Sequence, residues 1–244
     1  MTNSKAPQKR VYQIIMDQIM TQLKHHKLHP GDRLPPERKW AEELGVSRGA
    51  VREAIRALEM IGLVTIRQGG GTFINADYSL AMTQPMTISF WLGGGTVYNV
   101  HHFRQCLEQE AAYLAARHAT ADDIATLQRL ADAMAHEPDS VKSAAIDRRF
   151  HDTIAIISGN GLIHDALASV GSLLDDILYE SRVAIISEEQ GEGVLAFQHS
   201  LLVDAIAAGN PDLALKRMKE HMLYVEDFLS DLTDLFTTST IQLK

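Results

Sequence analysis

Apolar residues recur every three to four positions along most of this chain, and the departures from that period fall between residues 63 and 95. Over residues 11–26, Ile14, Ile15, Ile19 and Leu23 mark one face of a helix. Residues 36–44 read as a short second helix, since proline suits a first turn where its missing N–H would be unpaired anyway. Gly45 supplies a left-handed stop, and Ser47 caps a third helix through its hydroxyl. On that helix Val51, Ile55 and Leu58 fall at i, i+4 and i+7. Gly62 ends it, and residues 63–67 and 72–75 flank Gln68-Gly69-Gly70-Gly71 as a hairpin. From residue 76 to about 95 the periodicity lapses, closing on Gly93-Gly94-Gly95. Everything from residue 96 onward reads as helix. Segments are expected over 97–118, from Thr120, over 138–158 and over 162–186. A fifth begins at Ser187-Glu188-Glu189, with a glycine-rich approach at Gly191 and Gly193, and ends at Gly209. A sixth is launched by Asn210-Pro211-Asp212 and runs to about residue 236. The expected class is mainly α.

The second and third helices with their glycine-tipped ribbon make a winged helix-turn-helix, and the arginines give it a purpose. Arg48, Arg52 and Arg56 run along a stripe beside the apolar face, four residues apart. A recognition helix enters the major groove N-terminus first, which sets Ser47 and Arg48 toward base edges. Arg48 and Arg52 can reach guanine O6/N7 or a phosphate, while Arg38 on the preceding helix meets the backbone or groove edge. The wing glycines let backbone approach a phosphate or the minor groove without Cβ interference. The competing expectation is a solvated face in which these arginines pair with Glu42, Glu43 and Glu53. Charge favours the DNA reading once the chain is divided. Residues 1–77 hold 12 Lys+Arg against 8 Asp+Glu, a net of +4; residues 78–244 hold 11 against 23, a net of −12. A basic head on an acidic body is the asymmetry of a modular nucleic-acid binder.

The run LPPERKWAEELGVSRGAVREAIRALEMIGLVTIRQGGGTFI resembles the N-terminal domain of the GntR family of bacterial transcription regulators, through LP-x-ER, GVSR-x-x-VREA and GGGTF-[IV]. The resemblance implies that Arg38, Arg48, Arg52, Gln68 and Gly69 touch DNA.

One constellation in the acidic body carries chemistry. Asp147 and His151 are four apart, so both project from one helical face; His199 and His221 lie on later helices. A carboxylate and three imidazoles from three helices can make a site for Zn²⁺, Ni²⁺ or Mn²⁺. With eleven histidines in the chain, spacing alone also allows ordinary surface or core histidines. Residues 97–236 resemble the FCD ligand-binding domain of the FadR subfamily, on DRRFH, HSLLVDAIAAG and MKEH, with SGN at residues 158–160. That resemblance assigns Asp147, His151, His199 and His221 as ligands of a divalent metal, Zn²⁺ first. His25, His26, His29, His101, His118, His136 and His164 keep the ordinary reading. Arg104, in HHFRQCLEQE, aligns with the family's E-x-R-x-x-L-E and would hold a ligand carboxylate by a forked pair of hydrogen bonds. Its alternative is a surface arginine paired with Glu108. His102 stands where the family has Glu, either as a change of polar packing or as an altered pocket.

The expected organisation is residues 1–77 for the DNA-binding domain, 78–95 for a linker, and 96–237 for a bundle of six or seven helices that binds metal and effector and dimerises. The linker's middle, with Phe90 and Trp91, is apolar enough to pack on one of the domains. No apolar run reaches the eighteen or so residues of a membrane span, and the N-terminus lacks a signal-peptide core. Cys106 is a lone cysteine, read as a small apolar residue buried on a helix, and suggests a reducing cytoplasm. The expected protein is a cytoplasmic, homodimeric regulator, a repressor of double-stranded operator DNA that answers to a small hydroxy or sugar acid. The rivals are the same regulator with a purely structural metal, and a metal-dependent hydrolase bearing a DNA-binding head.

Overall fold

Helix signals in the first eighty residues translate closely into backbone. In the computed structural model, which describes residues 10–76, 79–173 and 191–238, α1 spans Val11–Lys24, α2 Glu37–Leu44 and α3 Arg48–Met60. Gly45 closes α2 in the left-handed conformation, φ +63°. The Ser47 hydroxyl accepts from the Ala50 N–H at 3.1 Å and so caps α3. Val51, Ile55 and Leu58 are buried against Ile15 and Ile19 of α1 and Trp40 of α2, making one small core. Strands β1 (Val64–Arg67) and β2 (Gly71–Ile74) pair antiparallel, Val64 opposite Ile74 and Arg67 opposite Gly71. The sequence pattern missed that residues 31–34 run along the outer side of β2. The Leu34 N–H donates to the Thr72 carbonyl and the Ile74 N–H to that of Asp32, both at 2.8 Å. Glu59 on α3 accepts from the Ile66 N–H at 3.0 Å and ties the ribbon to the helix.

The chain divides into two units, Met1–Ala81 and Met82–Lys244. Gly62 is a tight point within the first. Its φ is +74°, and a Cβ there would sit 2.7 Å from Ala81 Cβ and 2.9 Å from Ala81 Cα. Left-handed strain and overpacking add, so Gly62→Ala should cost about 2–4 kcal/mol. The check is the midpoint of urea unfolding; an unchanged midpoint would mean that Ala81 is not held against this turn.

Residues 79–92, within the expected linker, form helix α4 (Ser79–Leu92). Its sequence SLAMTQPMTISFWL scatters apolar residues around the axis and carries Pro85 inside it, so no 3.6-residue stripe announces it. Met86 and Phe90 pack on Val97, Val100 and Val170. The remaining described helices are α5 (Val97–His118), α6 (Ala121–His136), α7 (Ser140–Ile157), α8 (Gly161–Leu173), α9 (Gly191–Ala207) and α10 (Pro211–Thr238). The expected all-helical bundle is what forms. Thr120 and Asp123 close a capping box on α6. The expected continuation of the fourth bundle helix past residue 173, and the start of the fifth at Ser187-Glu188-Glu189, lie outside the described residues. Gly191 and Gly193 fall inside α9 rather than before it.

The long α5 departs most from expectation. Phe103, three residues after the buried Val100, is 44% exposed, while His101, Arg104 and Glu108 are buried with Ala111, Ala112, Ala115 and Ala116. The alanines let α10 approach closely, and the buried stripe continues through polar residues that pair with one another rather than meeting water. Cys106, expected to be buried, is exposed on the same helix. Among the described residues no helix is long and apolar enough to cross a membrane.

Candidate metal centre and nucleic-acid interface

Three helices of the bundle bring Asp147, His151, His199 and His221 together. Asp139 starts α7 by accepting from the N–H groups of Val141 and Lys142, and Asp147 and His151 then share its inner face. His199 comes from α9 and His221 from α10. All four are buried, and one ligand atom from each lies within 4.8 Å of the others. Asp147 Oδ1 is 3.1 Å from His199 Nε2 and 3.7 Å from His151 Nε2. The His221 ring lies 5.1 Å from that of His151 and 4.8 Å from that of His199.

The outer nitrogens of two rings are fixed by acceptors. His151 Nδ1 donates to Glu108 Oε2 at 3.0 Å, and His221 Nδ1 donates to Gln198 Oε1 at 3.1 Å. Each proton sits on Nδ1, which leaves the Nε2 lone pair for a metal, the arrangement that orients ligating histidines. His151 Nε2 is enclosed and has no hydrogen-bond partner. Such an orphaned acceptor, in a set of one carboxylate and three imidazoles, fits a divalent cation of borderline softness. Electrostatics agree. Burial above all, then the neighbouring His199 and His151, lowers the pKa of His221 well below its ordinary value, so that imidazole stays neutral and able to ligate.

Sequence reasoning missed the role of Glu108. Burial would raise its pKa, but the neighbouring His151 and Arg104, which both donate hydrogen bonds to it, outweigh that and hold it at about 2. Arg104 donates to Glu108 Oε1 from Nε at 3.1 Å and from Nη2 at 3.0 Å. Both readings of Arg104 are therefore half right: it pairs with Glu108, yet it is buried beside the histidines rather than on the surface. One side of its guanidinium is taken, and among the described residues Nη1 makes no hydrogen bond. An i, i+4 Arg–Glu pair looks like any solvated helix pair in a sequence; only its burial sets it apart. His102, the departure from the family pattern, points outward and donates from Nε2 to Glu226 at 2.9 Å. It links α5 to α10 at the surface.

In the other unit, Arg38, Ser47, Arg48, Arg52, Gln68 and Gly69 are all exposed. The competing carboxylates are partly engaged: Arg38 lies 3.5 Å from Glu42, and Arg56 lies 3.2 Å from Glu53. Arg48 and Arg52 make no ion pair among the described residues. Two uncompensated cations one turn apart, at the start of a capped helix, suit a polyanion. Gly69 sits at the wing tip with φ +71°, and Arg67 stacks over the Phe73 ring at 4.5 Å, stiffening the ribbon.

Comparison with known proteins assigns both units. Residues 8–74 match the bacterial regulatory proteins of the gntR family, and residues 99–223 match the FCD domain. The chain is 34% identical over 213 residues to the HTH-type transcriptional regulator LutR of Bacillus subtilis (strain 168), covering 85% of this chain and 96% of that one. It is 30% identical over 221 residues to the putative L-lactate dehydrogenase operon regulatory protein of Escherichia coli (strain K12), covering 89% and 85%. A solved GntR protein of Streptococcus agalactiae shares the fold with a TM-score of 0.61 at 24% identity, covering 88% of this chain and 98% of that one. These relatives are regulators, not enzymes, which removes the hydrolase rival. The chain belongs to the GntR family of DNA-binding transcription regulators, with an FCD effector domain following its winged helix-turn-helix.

Proposed function

We propose that this protein is a cytoplasmic, homodimeric repressor that leaves its operator when a small hydroxy or sugar acid binds in the FCD domain. Asp147, His151, His199 and His221 hold a divalent metal, Zn²⁺ first and Ni²⁺ or Mn²⁺ as alternatives. The metal, when bound, supplies open coordination positions for a carboxylate and its neighbouring hydroxyl. Arg104, oriented by Glu108, offers the Nη1 side of its guanidinium to the same carboxylate. The observation that carries this reading is the buried Asp/His₃ cluster beside a buried arginine with donors to spare. Similarity to a regulator named for an L-lactate dehydrogenase operon sets 2-hydroxy acids first among candidates. Two subunits would present two α3 helices to a two-fold operator, with Ser47, Arg48 and Arg52 toward the major groove, Arg38 at its edge, and Gln68 and Gly69 of the wing against the backbone. Release requires that the acid prefer the arrangement that does not bind DNA, because equal affinity shifts nothing.

A purely structural metal is the second reading, favoured by the near-complete enclosure of all four side chains. A thermal-shift screen of 2-hydroxy and sugar acids on Zn²⁺-loaded protein separates the two. At a hundredfold its dissociation constant an acid adds about 2.7 kcal/mol, roughly 5–10 °C in Tm for a chain of this size. Arg104→Lys, which keeps a cation for Glu108 but loses the planar fork, should abolish that shift. Metal-loaded protein that responds to no acid leaves the structural reading.

A further inference from the structure

His101 differs from the other histidines outside the cluster. His25, His26, His29, His102, His118 and His136 are exposed, and His164 lies between Asp152 and Asp165. His101 is wholly buried, with Nε2 3.0 Å from the Met222 carbonyl oxygen. A carbonyl only accepts, so Nε2 carries the proton and Nδ1 presents a lone pair. That Nδ1 is enclosed and has no hydrogen-bond partner. The residue is also placed beside the site. His101, Arg104 and Glu108 fall at i, i+3 and i+7 along one buried stripe of α5, and Met222 directly follows His221. The positive charge of Arg104 is close enough to act on the His101 ring.

We propose that His101 is a specificity-determining residue, whose Nδ1 accepts a hydrogen bond from a ligand hydroxyl beyond the one that chelates the metal. This rests on the reading of the cluster and Arg104 as a carboxylate site. Among the described residues Arg104 Nη1 is a donor without a partner and His101 Nδ1 an acceptor without one, so together they complement an acid that carries an additional hydroxyl. The two residues lie three apart on one helix, about 4.5 Å along its axis. The favoured ligands are accordingly polyhydroxy acids rather than monohydroxy acids of the same length.

The test uses full-length Zn²⁺-loaded protein and three four-carbon probes: 2-hydroxybutanoate, 2,3-dihydroxybutanoate and 2,3,4-trihydroxybutanoate. Calorimetric titration should show one of the polyhydroxy acids binding about tenfold more tightly than 2-hydroxybutanoate. His101→Gln keeps an N–H for the Met222 carbonyl but has no acceptor where Nδ1 was, and should erase that preference while leaving 2-hydroxybutanoate binding unchanged. His101→Asn, whose Oδ1 takes the place of Nδ1, should retain part of it. Equal binding of all three probes by the native protein, or a preference that survives His101→Gln, overturns the proposal. Failure of 2-hydroxybutanoate and both polyhydroxy acids to bind overturns instead the carboxylate site on which it rests.

Discussion

If Asp147, His151, His199 and His221 hold a metal as proposed, stripping it should lower the melting temperature by about 10 °C, and one equivalent of Zn²⁺ should restore it. The size follows from linkage: an ion held at a thousandfold its dissociation constant adds about 4.1 kcal/mol, and each kcal/mol moves Tm by roughly 2–4 °C at this chain length. Asp147→Asn removes the one charged ligand while keeping its shape, and should abolish the restoration. Glu108→Gln tests the outer shell, because it weakens the acceptor that holds His151 in its ligating tautomer; a loss of about 10–100-fold in metal affinity is expected. The pH dependence of the metal-free protein carries a sign. His221 has a folded pKa below its ordinary 6.5, so the unfolded chain takes up that proton first. Its contribution to stability is complete above about pH 6.5 and is lost as pH falls from there toward the folded value. Glu108 runs on another scale. With a folded pKa of about 2, its contribution is intact above the usual carboxylate range near 4.3 and is lost only in stronger acid. Scanning calorimetry should therefore find Tm level above pH 7 and falling between pH 6.5 and 5. A Tm that rises over that interval would contradict the lowered pKa of His221.

Much of the DNA-binding unit was legible because its signals are local. Gly45, Ser47 and Gly62 each act through their own backbone or hydroxyl within a few residues, and the Val51–Ile55–Leu58 face repeats with the helix. The Asp/His cluster was legible only in part. Asp147 and His151 announce themselves by spacing, but His199 and His221 are brought to them by helix packing, and among eleven histidines only the family pattern singled them out. Glu108 and His101 were invisible for a related reason. Periodicity assigns polar residues to the solvent face, so a helix that buries Arg104 and Glu108 as a neutralising pair inverts the expected side. Phe103 shows the same inversion from the other direction. In α4, apolar residues surround the axis, leaving no stripe to read.

The largest effect of a single substitution is expected on the opposite unit. Arg52→Ala should weaken operator binding by about 1–3 kcal/mol for each recognition helix if the guanidinium reads a base. For the proposed homodimer on a two-fold operator, two heads would double this to about 2–6 kcal/mol, at least roughly 30-fold in affinity. The reason to choose Arg52 over Arg56 is their neighbours. Arg56 lies 3.2 Å from Glu53 and is compensated, whereas Arg48 and Arg52 make no ion pair among the described residues. Arg56→Ala is the internal control, with a change well below that of Arg52→Ala. Affinity measured across salt concentrations then separates the two ways in which Arg52 can act. If the guanidinium bonds a base, its removal weakens binding to the operator but not to random DNA, with little change in the salt slope. If it bonds a phosphate, its removal weakens both alike and lowers the slope by about one unit per head. If Arg52→Ala alters neither affinity nor slope, the exposed face of α3 is not the reading surface, whatever the family resemblance of the helix that bears it.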